Sequence, residues 1–235
     1  MNKNQSIRTE MLLGSDALLK LKNAHILVIG LGGVGSFSVE ALARTGIGSL
    51  TLCDHDTIAV SNINRQLCAL HSTVGKFKAD VLNDRALDIN PDLKIRVIRE
   101  YYTAENRDEI LDIKYDYIID AIDSVTSKLD LIKTAHERNI PIISAMGTGN
   151  KLDPSKFEIC DISKTSVCPL ARVMRRELKN RKIYKHTVLF SKEIPLKPTQ
   201  LDDIPQGKGN VPGSISFVPS TAGLMLAGYV IKQLI

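Results

Sequence analysis

Tryptophan is absent, aromatic residues make up only 5% of the 235-residue chain, and cysteines number four, at positions 53, 68, 160 and 168. No two cysteines stand in Cys-x-x-Cys spacing, which excludes the ligand pattern of a zinc ribbon and of a redox dithiol. With so few aromatics, platforms for stacking unpaired bases are sparse: Tyr184 lies in the basic segment described below, and Phe190 and Phe217 flank the loop that follows it. The opening residues MNKNQSIRTEMLLG contain no apolar core of signal-peptide length, so a cytoplasmic protein with reduced thiols is expected. The longest uncharged stretch, 209–231, is interrupted in its first half by Asn210, Pro212, Ser214, Ser216, Pro219 and Ser220. The apolar remainder of about a dozen residues is too short for ~30 Å of hydrocarbon, so it predicts a buried C-terminal helix and no membrane span.

What is present is globular. Apolar residues at 43% and charged residues at 24% exclude a disordered or fibrous chain. The length suits a single domain that buries roughly 70% of its unfolded surface. The net charge of +5 is unevenly spread: residues 164–186 hold eight Lys or Arg against the single acid Glu177, a local charge of +7. Such a segment is either a solvated basic face or the footprint of a polyanion.

Apolar runs alternate with amphipathic ones. Strands are expected at 24–30, 49–53, 94–99, 115–122 and 140–145, with helices at 34–45, 76–89 and 127–138 between them. This predicts an α/β, Rossmann-like, doubly wound and mostly parallel sheet with ligands at the carboxyl ends of its strands. The expected organisation is one domain over 1–235, with a nucleotide-binding core at 24–146 and a C-terminal α+β extension at 151–235. In that extension a strand is expected at 156–162, a helix at 169–182 and a short strand at 187–190. The proline- and glycine-rich stretch 191–216 reads as a long loop, suited to a mobile lid.

Gly30, Gly32 and Gly35, with Gly33 between them, form G-x-G-x-x-G after a strand and before a helix, so backbone N–H groups can approach phosphate. Asp54 ends the next strand, 19 residues after Gly35, where a carboxylate can accept ribose hydroxyls. These features suit an NAD-dependent oxidoreductase as well as an ATP enzyme, and the glycines also serve close helix-to-sheet packing. The residues that follow separate the two: Asp54, Asp56, Asn62, Arg65, Lys78 and, at the end of the fourth strand, Asp123. Hydride transfer leaves the pyrophosphate intact, whereas attack on the α-phosphate of ATP builds charge that Arg65, Lys78 and a magnesium ion on Asp123 would offset. The competing structural readings are a solvated Lys78, an ion-paired Arg65 and a helix N-cap at Asp123.

The combination GLGGVGS, DHDTIAVSNINRQ, VGKFKA and DAIDS resembles the ubiquitin-activating-type adenylating enzymes, which include the bacterial activators of sulfur-carrier proteins. The resemblance runs from Arg8 to about Met146. It implies adenylation of a carboxylate with ATP and Mg2+. Gly30, Gly32, Gly33, Gly35, Asp54, Asp56, Asn62, Arg65 and Lys78 then hold the nucleotide, and Asp123 the metal. It also implies a homodimer in which Arg8 reaches the neighbouring subunit's triphosphate. Sulfur-carrier activators usually bear two Cys-x-x-Cys pairs, which this chain lacks. The best nucleophile candidate is Cys168, just before the basic helix, against the reading of a small buried hydrophobe.

A closer resemblance, carried by IRTEMLLGSDALLKLKNAHILVIGLGGVGS, YIIDAIDSVTSKLDLI, ISKTSVCPLARVMRRELKNR and VLFSKE, is to the tRNA threonylcarbamoyladenosine dehydratases. It implies activation of the threonyl carboxylate of a modified base beside the anticodon, followed by ring closure within that side chain and no enzyme nucleophile. A sulfur-transfer or redox protein partner stays open, and adenylation of a small sulfur-carrier protein is the alternative. In the 169–182 helix, Leu170, Val173, Met174 and Leu178 should face the core, turning Arg172, Arg175, Arg176 and Lys179 outward toward RNA phosphates.

Overall fold

The computed structural model describes residues 3–199 and 212–235. Much of the expected 191–216 loop therefore lies outside the described residues.

The chain begins with two helices that the apolar pattern does not announce, α1 (Lys3–Leu13) and α2 (Ser15–Asn23), joined at Gly14 with φ +82°. Strand β1 (His25–Ile29) leads through the glycine turn to α3 (Gly35–Thr45) and β2 (Ser49–Cys53). A polar loop, α4 (Lys78–Ile89) and β3 (Lys94–Ile98) follow. After the short α5 (Arg107–Ile110) come β4 (Tyr117–Asp120), α6 (Val125–Glu137) and β5 (Ile142–Ala145). Edge strand β6 (Phe157–Asp161), α7 (Pro169–Asn180), β7 (Thr187–Ser191) and α8 (Phe217–Leu234) complete the order.

The seven strands are ordered β3-β2-β1-β4-β5-β7-β6. All neighbours are parallel except β6 and β7, so the segment after residue 151 extends the same sheet. Five strands are shorter than the apolar runs suggest, β1, β3 and β6 by one or two residues at their ends, and β4 and β5 for reasons the structure shows. β4 stops at Asp120 because that side chain takes the Ile122 N–H and turns the chain, and β5 starts after Pro141, which has no N–H to donate.

Strand alternation divides the core. Ile26 and Val28 of β1 pack with α3, α4 and α8 on one face, and Leu27 and Ile29 with α6 and α7 on the other. The α3–α8 contact is close: a Cβ on Gly223 would meet Val34 O at 2.2 Å, and Ser38 Oγ donates to Gly223 O at 2.9 Å. Among the described residues no helix is long and apolar enough to cross a membrane. Chain order reverses between β1 and β4. That reversal leaves a crevice at their carboxyl ends, where Gly30, Asp54 and Asp123 all emerge.

Candidate nucleotide-binding site

The crevice holds a cleft of about 330 Å³ lined by the glycine turn, the ends of β2 and β4, and the 62–66 and 100–102 segments. Two of its glycines are there for packing. Gly30 has φ +84°, with its Cβ position 2.6 Å from Ala121 O, and a Cβ on Gly35 would lie 1.8 Å from Gly30 O. Gly32 is different: its Cβ position has only Gln66 Nε2 within contact range, at 3.6 Å, so it opens onto the cleft. The N–H groups of Gly32, Gly33 and Val34 have no carbonyl partner among the described residues and stand at the positive end of α3, an arrangement suited to phosphate.

Asp54 is buried, and it fixes that turn. One carboxylate oxygen accepts Leu31 N–H at 2.6 Å and the other Asp56 N–H at 2.8 Å. Each oxygen keeps a second lone pair for a ligand hydroxyl. Lys78 is nearly buried and donates to Asp56 at 2.6 Å, so it is neither the solvated helix residue of the structural reading nor a free cation. Its ammonium retains two donors. Arg65 spends Nη1 on Ser61 O and Asn64 Oδ1, both at 2.9 Å, leaving the rest of its guanidinium without a partner among the described residues. Asn62 accepts Ala59 N–H through Oδ1 and lines the cleft beside Arg65. Asp123 is exposed at the lip of the cleft and is not the helix cap; Ser124 is, accepting from Ser127 N.

Several contributors are not assigned a role by sequence. Gln66, directly after Arg65, lines the cleft and has a buried Oε1 with no partner among the described residues. Beneath the floor, Lys128 and Asp120 form a fully buried ion pair at 2.8 Å, and Asp120 also accepts Ile122 N–H. The pair braces the turn that carries Asp123. Tyr102 also lines the cleft; burial and the neighbouring Asp130, to which it donates at 3.0 Å, raise its phenol pKa. A lysine at position 128 of an amphipathic helix gives no sequence signal of its partner, because the pair forms only once β4 and α6 are docked.

Cys53 lines the cleft, but neither it nor Cys68 is held as a thiolate. Burial, aided by Asp54, pushes Cys53 up to about 12, and burial pushes Cys68 up to about 11. Cys168 is buried at the start of α7 beside Gly147, in keeping with the small-hydrophobe reading.

Other expected positions lie elsewhere. Arg8 is exposed on α1, which is tied to Ile89 O through Gln5 near the amino ends of the strands, and it does not line its own chain's cleft. On α7 the buried stripe is Ala171, Met174 and Leu178, with Leu170 and Val173 only half-buried. Arg172, Arg176 and Lys179 are exposed as expected. Arg175 does not point outward: flanking the buried stripe, it donates through Nη1 to the carbonyl of Thr165 at 2.7 Å and to its hydroxyl. Phe190 is buried in the core, and Tyr184 lies just before β7 at the amino ends of the strands, so neither can stack a base held in the cleft.

Comparison with known proteins matches residues 4–235 to the ThiF family. The tRNA threonylcarbamoyladenosine dehydratase of Bacillus subtilis (strain 168) is 42% identical, over 99% of this chain and 95% of its own length. The Escherichia coli tRNA N6-threonylcarbamoyladenosine dehydratase superposes with a TM-score of 0.90 in complex with AMP (36% identity) and in complex with ATP (34% identity). Each comparison covers 99% of this chain and 94% of the other. The chain therefore belongs to the ThiF family, within the group formed by the tRNA threonylcarbamoyladenosine dehydratases.

Proposed function

We propose that this protein is an ATP-dependent tRNA-modifying cyclase that dehydrates threonylcarbamoyladenosine beside the anticodon. The observation that carries the proposal is a likeness to dehydratases over nearly the whole chain, one of them solved with ATP, combined with a cleft in which Arg65, Lys78 and Asp123 converge. A hydride-transfer site has no use for that set, because its pyrophosphate is not cleaved.

In the first step the threonyl carboxylate attacks the α-phosphate of ATP and pyrophosphate leaves. Asp54 orients the ribose, and the amides of Gly32, Gly33 and Val34 meet phosphate oxygens. Arg65 and Lys78 stabilise charge that grows toward the transition state, with Asn62 and Gln66 completing the polar wall. Lys78 exchanges part of its contact with Asp56 for phosphate. In the second step the carbamoyl-side nitrogen of the same side chain attacks the acyl carbon, AMP leaves with the carboxylate oxygen, and the N–H proton is released. One water is lost overall. No enzyme nucleophile is needed, since holding both groups on one side chain replaces roughly 7–11 kcal/mol of barrier.

Asp123 fits a magnesium ion: its exposed carboxylate has no hydrogen bond or ion pair among the described residues, and oxygen is the ligand that ion prefers. The other acidic grouping, Asp54, His55 and Asp56, fits less well because its carboxylates already accept from Leu31 N–H, Asp56 N–H and the Lys78 ammonium, and the remaining lone pairs of Asp54 serve the ribose hydroxyls. When bound, magnesium neutralises phosphate oxygens. A homodimer in which Arg8 serves the neighbouring cleft accords with its exposure on α1 beside Ile7, Met11 and Leu12, all exposed. Incubating the enzyme with ATP and tRNA bearing the modified base, then measuring nucleosides by mass spectrometry, tests the proposal. The expected product is lighter by one water, and an unchanged nucleoside alongside ATP-dependent modification of a carrier peptide would replace it with the sulfur-carrier alternative.

A further inference from the structure

The basic segment 164–186 does not present its charges equally. Arg176 and Arg181 are paired with Glu177 at 3.1 and 3.0 Å, and Arg175 is bound to Thr165. Lys164, Arg172, Lys179, Lys182 and Lys185 are exposed and make no ion pair among the described residues. Their placement is directional. The start of α7 adjoins Gly147, just past the carboxyl end of β5, with Cys168 Sγ 3.8 Å from the Gly147 Cβ position. Its far end closes with Lys182 at φ +61° and Ile183 N–H on Leu178 O, and the chain then enters β7 at its amino end. Twelve helical residues span about 18 Å. The unpaired cations thus run from Arg172, on the side of the reacting cleft, to Lys182 and Lys185 at the opposite end of the sheet. There they border a hollow of about 570 Å³ shared with Lys133, His136 and Glu137 of α6, where Lys133 is paired with Glu137 at 3.6 Å.

Resting on the tRNA-modifying reading, we infer that this stripe is a docking track for the phosphates of the RNA stem, with Lys182 and Lys185 contacting nucleotides well removed from the reacting base. Contacts about 18 Å from the start of α7 cannot be made by a nucleotide held in the cleft. The track is mainly cationic, with the exposed Tyr184 between Lys182 and Lys185, which suits phosphates of a paired stem, whose bases are stacked and whose shape is what a protein reads. Arg175 lies outside the track and holds the segment leading into α7.

The test compares Lys182→Gln/Lys185→Gln with Arg175→Gln and wild type, measuring full-length tRNA binding across a salt series and turnover separately. The double variant should keep the wild-type melting temperature and ATP binding, and flatten the plot of log affinity against log salt by about 1.4 to 1.8 units, at ~0.7 to 0.9 per contact. Arg175→Gln should leave that slope unchanged. With an RNA whose stem is cut short, the double variant and wild type should bind alike. An unchanged slope for the double variant on full-length tRNA overturns the track. A flattened slope for Arg175→Gln overturns its exclusion. Loss of wild-type turnover with the slopes as expected overturns the reaction and leaves the track standing.

Discussion

Replacing Lys128 with methionine tests how the floor of the cleft is held. Lys128 and Asp120 are both completely buried and 2.8 Å apart, and Asp120 also fixes the Ile122 N–H that aims Asp123 at the cleft. Methionine matches the length of the lysine stem but leaves a carboxylate without its counter-charge in the apolar layer between β4 and α6, which should cost about 3–5 kcal/mol. For a domain of this size that lowers the melting temperature by roughly 6–20 °C, at 2–4 °C per kcal/mol. The cycle is completed by Asp120→Asn, which keeps an oxygen for Ile122 N–H, and by the double variant Lys128→Met/Asp120→Asn. The double variant no longer buries an unpaired charge, so it should recover about 2–3 kcal/mol relative to the sum of the single changes. Urea denaturation of all four proteins measures this. Additive effects, or a loss below about 1 kcal/mol for Lys128→Met, would refute the claim that the pair supports the turn.

Four further outcomes are expected. Arg65→Ala should lower ATP-dependent turnover at least ~100-fold with a much smaller change in ATP affinity, because its charge acts mainly in the transition state; near-normal turnover would return Arg65 to the surface. Gly35→Ala should destabilise the fold by more than about 3 kcal/mol because its methyl meets Gly30 O, whereas Gly32→Ala should fold normally and bind ATP more weakly; equal melting temperatures would contradict this contrast. Burial pushes His186, bonded to Ser144 at 2.8 Å, down to about 3, so below the ordinary value of 6.5 the unfolded chain binds a proton the native state excludes. Stability should therefore fall by up to ~1.4 kcal/mol per pH unit as pH drops from 6.5 toward 3, and His186→Gln should flatten urea midpoints measured from pH 7.5 to 5; a parallel curve would count against it. Finally, Arg8→Ala and Asp123→Ala homodimers should each be nearly inactive, yet mixed dimers should regain activity through the one site with both groups intact; verified heterodimers that stay inactive would exclude Arg8 acting across subunits.

The sequence by itself determined the parallel sheet and the crevice at the carboxyl ends of its strands. Period and glycine chemistry are local: a continuous apolar run bounded by a turn that only glycine can make specifies β1, its turn and α3 before any tertiary contact forms. The order of strand ends along the chain likewise places Asp54 and Asp123 on one crevice. Tertiary structure decided how those groups are used. Asp54 turned out to anchor Leu31 N–H, Lys78 to share its charge with Asp56, and Arg175 to leave the outward face for Thr165, because each partner is distant in sequence or off the helical stripe. Helix α1 carries no strong apolar periodicity and leaves Met11 and Leu12 exposed, so no local pattern announces it. The Lys128–Asp120 pair is the limiting case: a buried charge is stable only beside its counter-charge, and only the docking of α6 on β4 brings the two together.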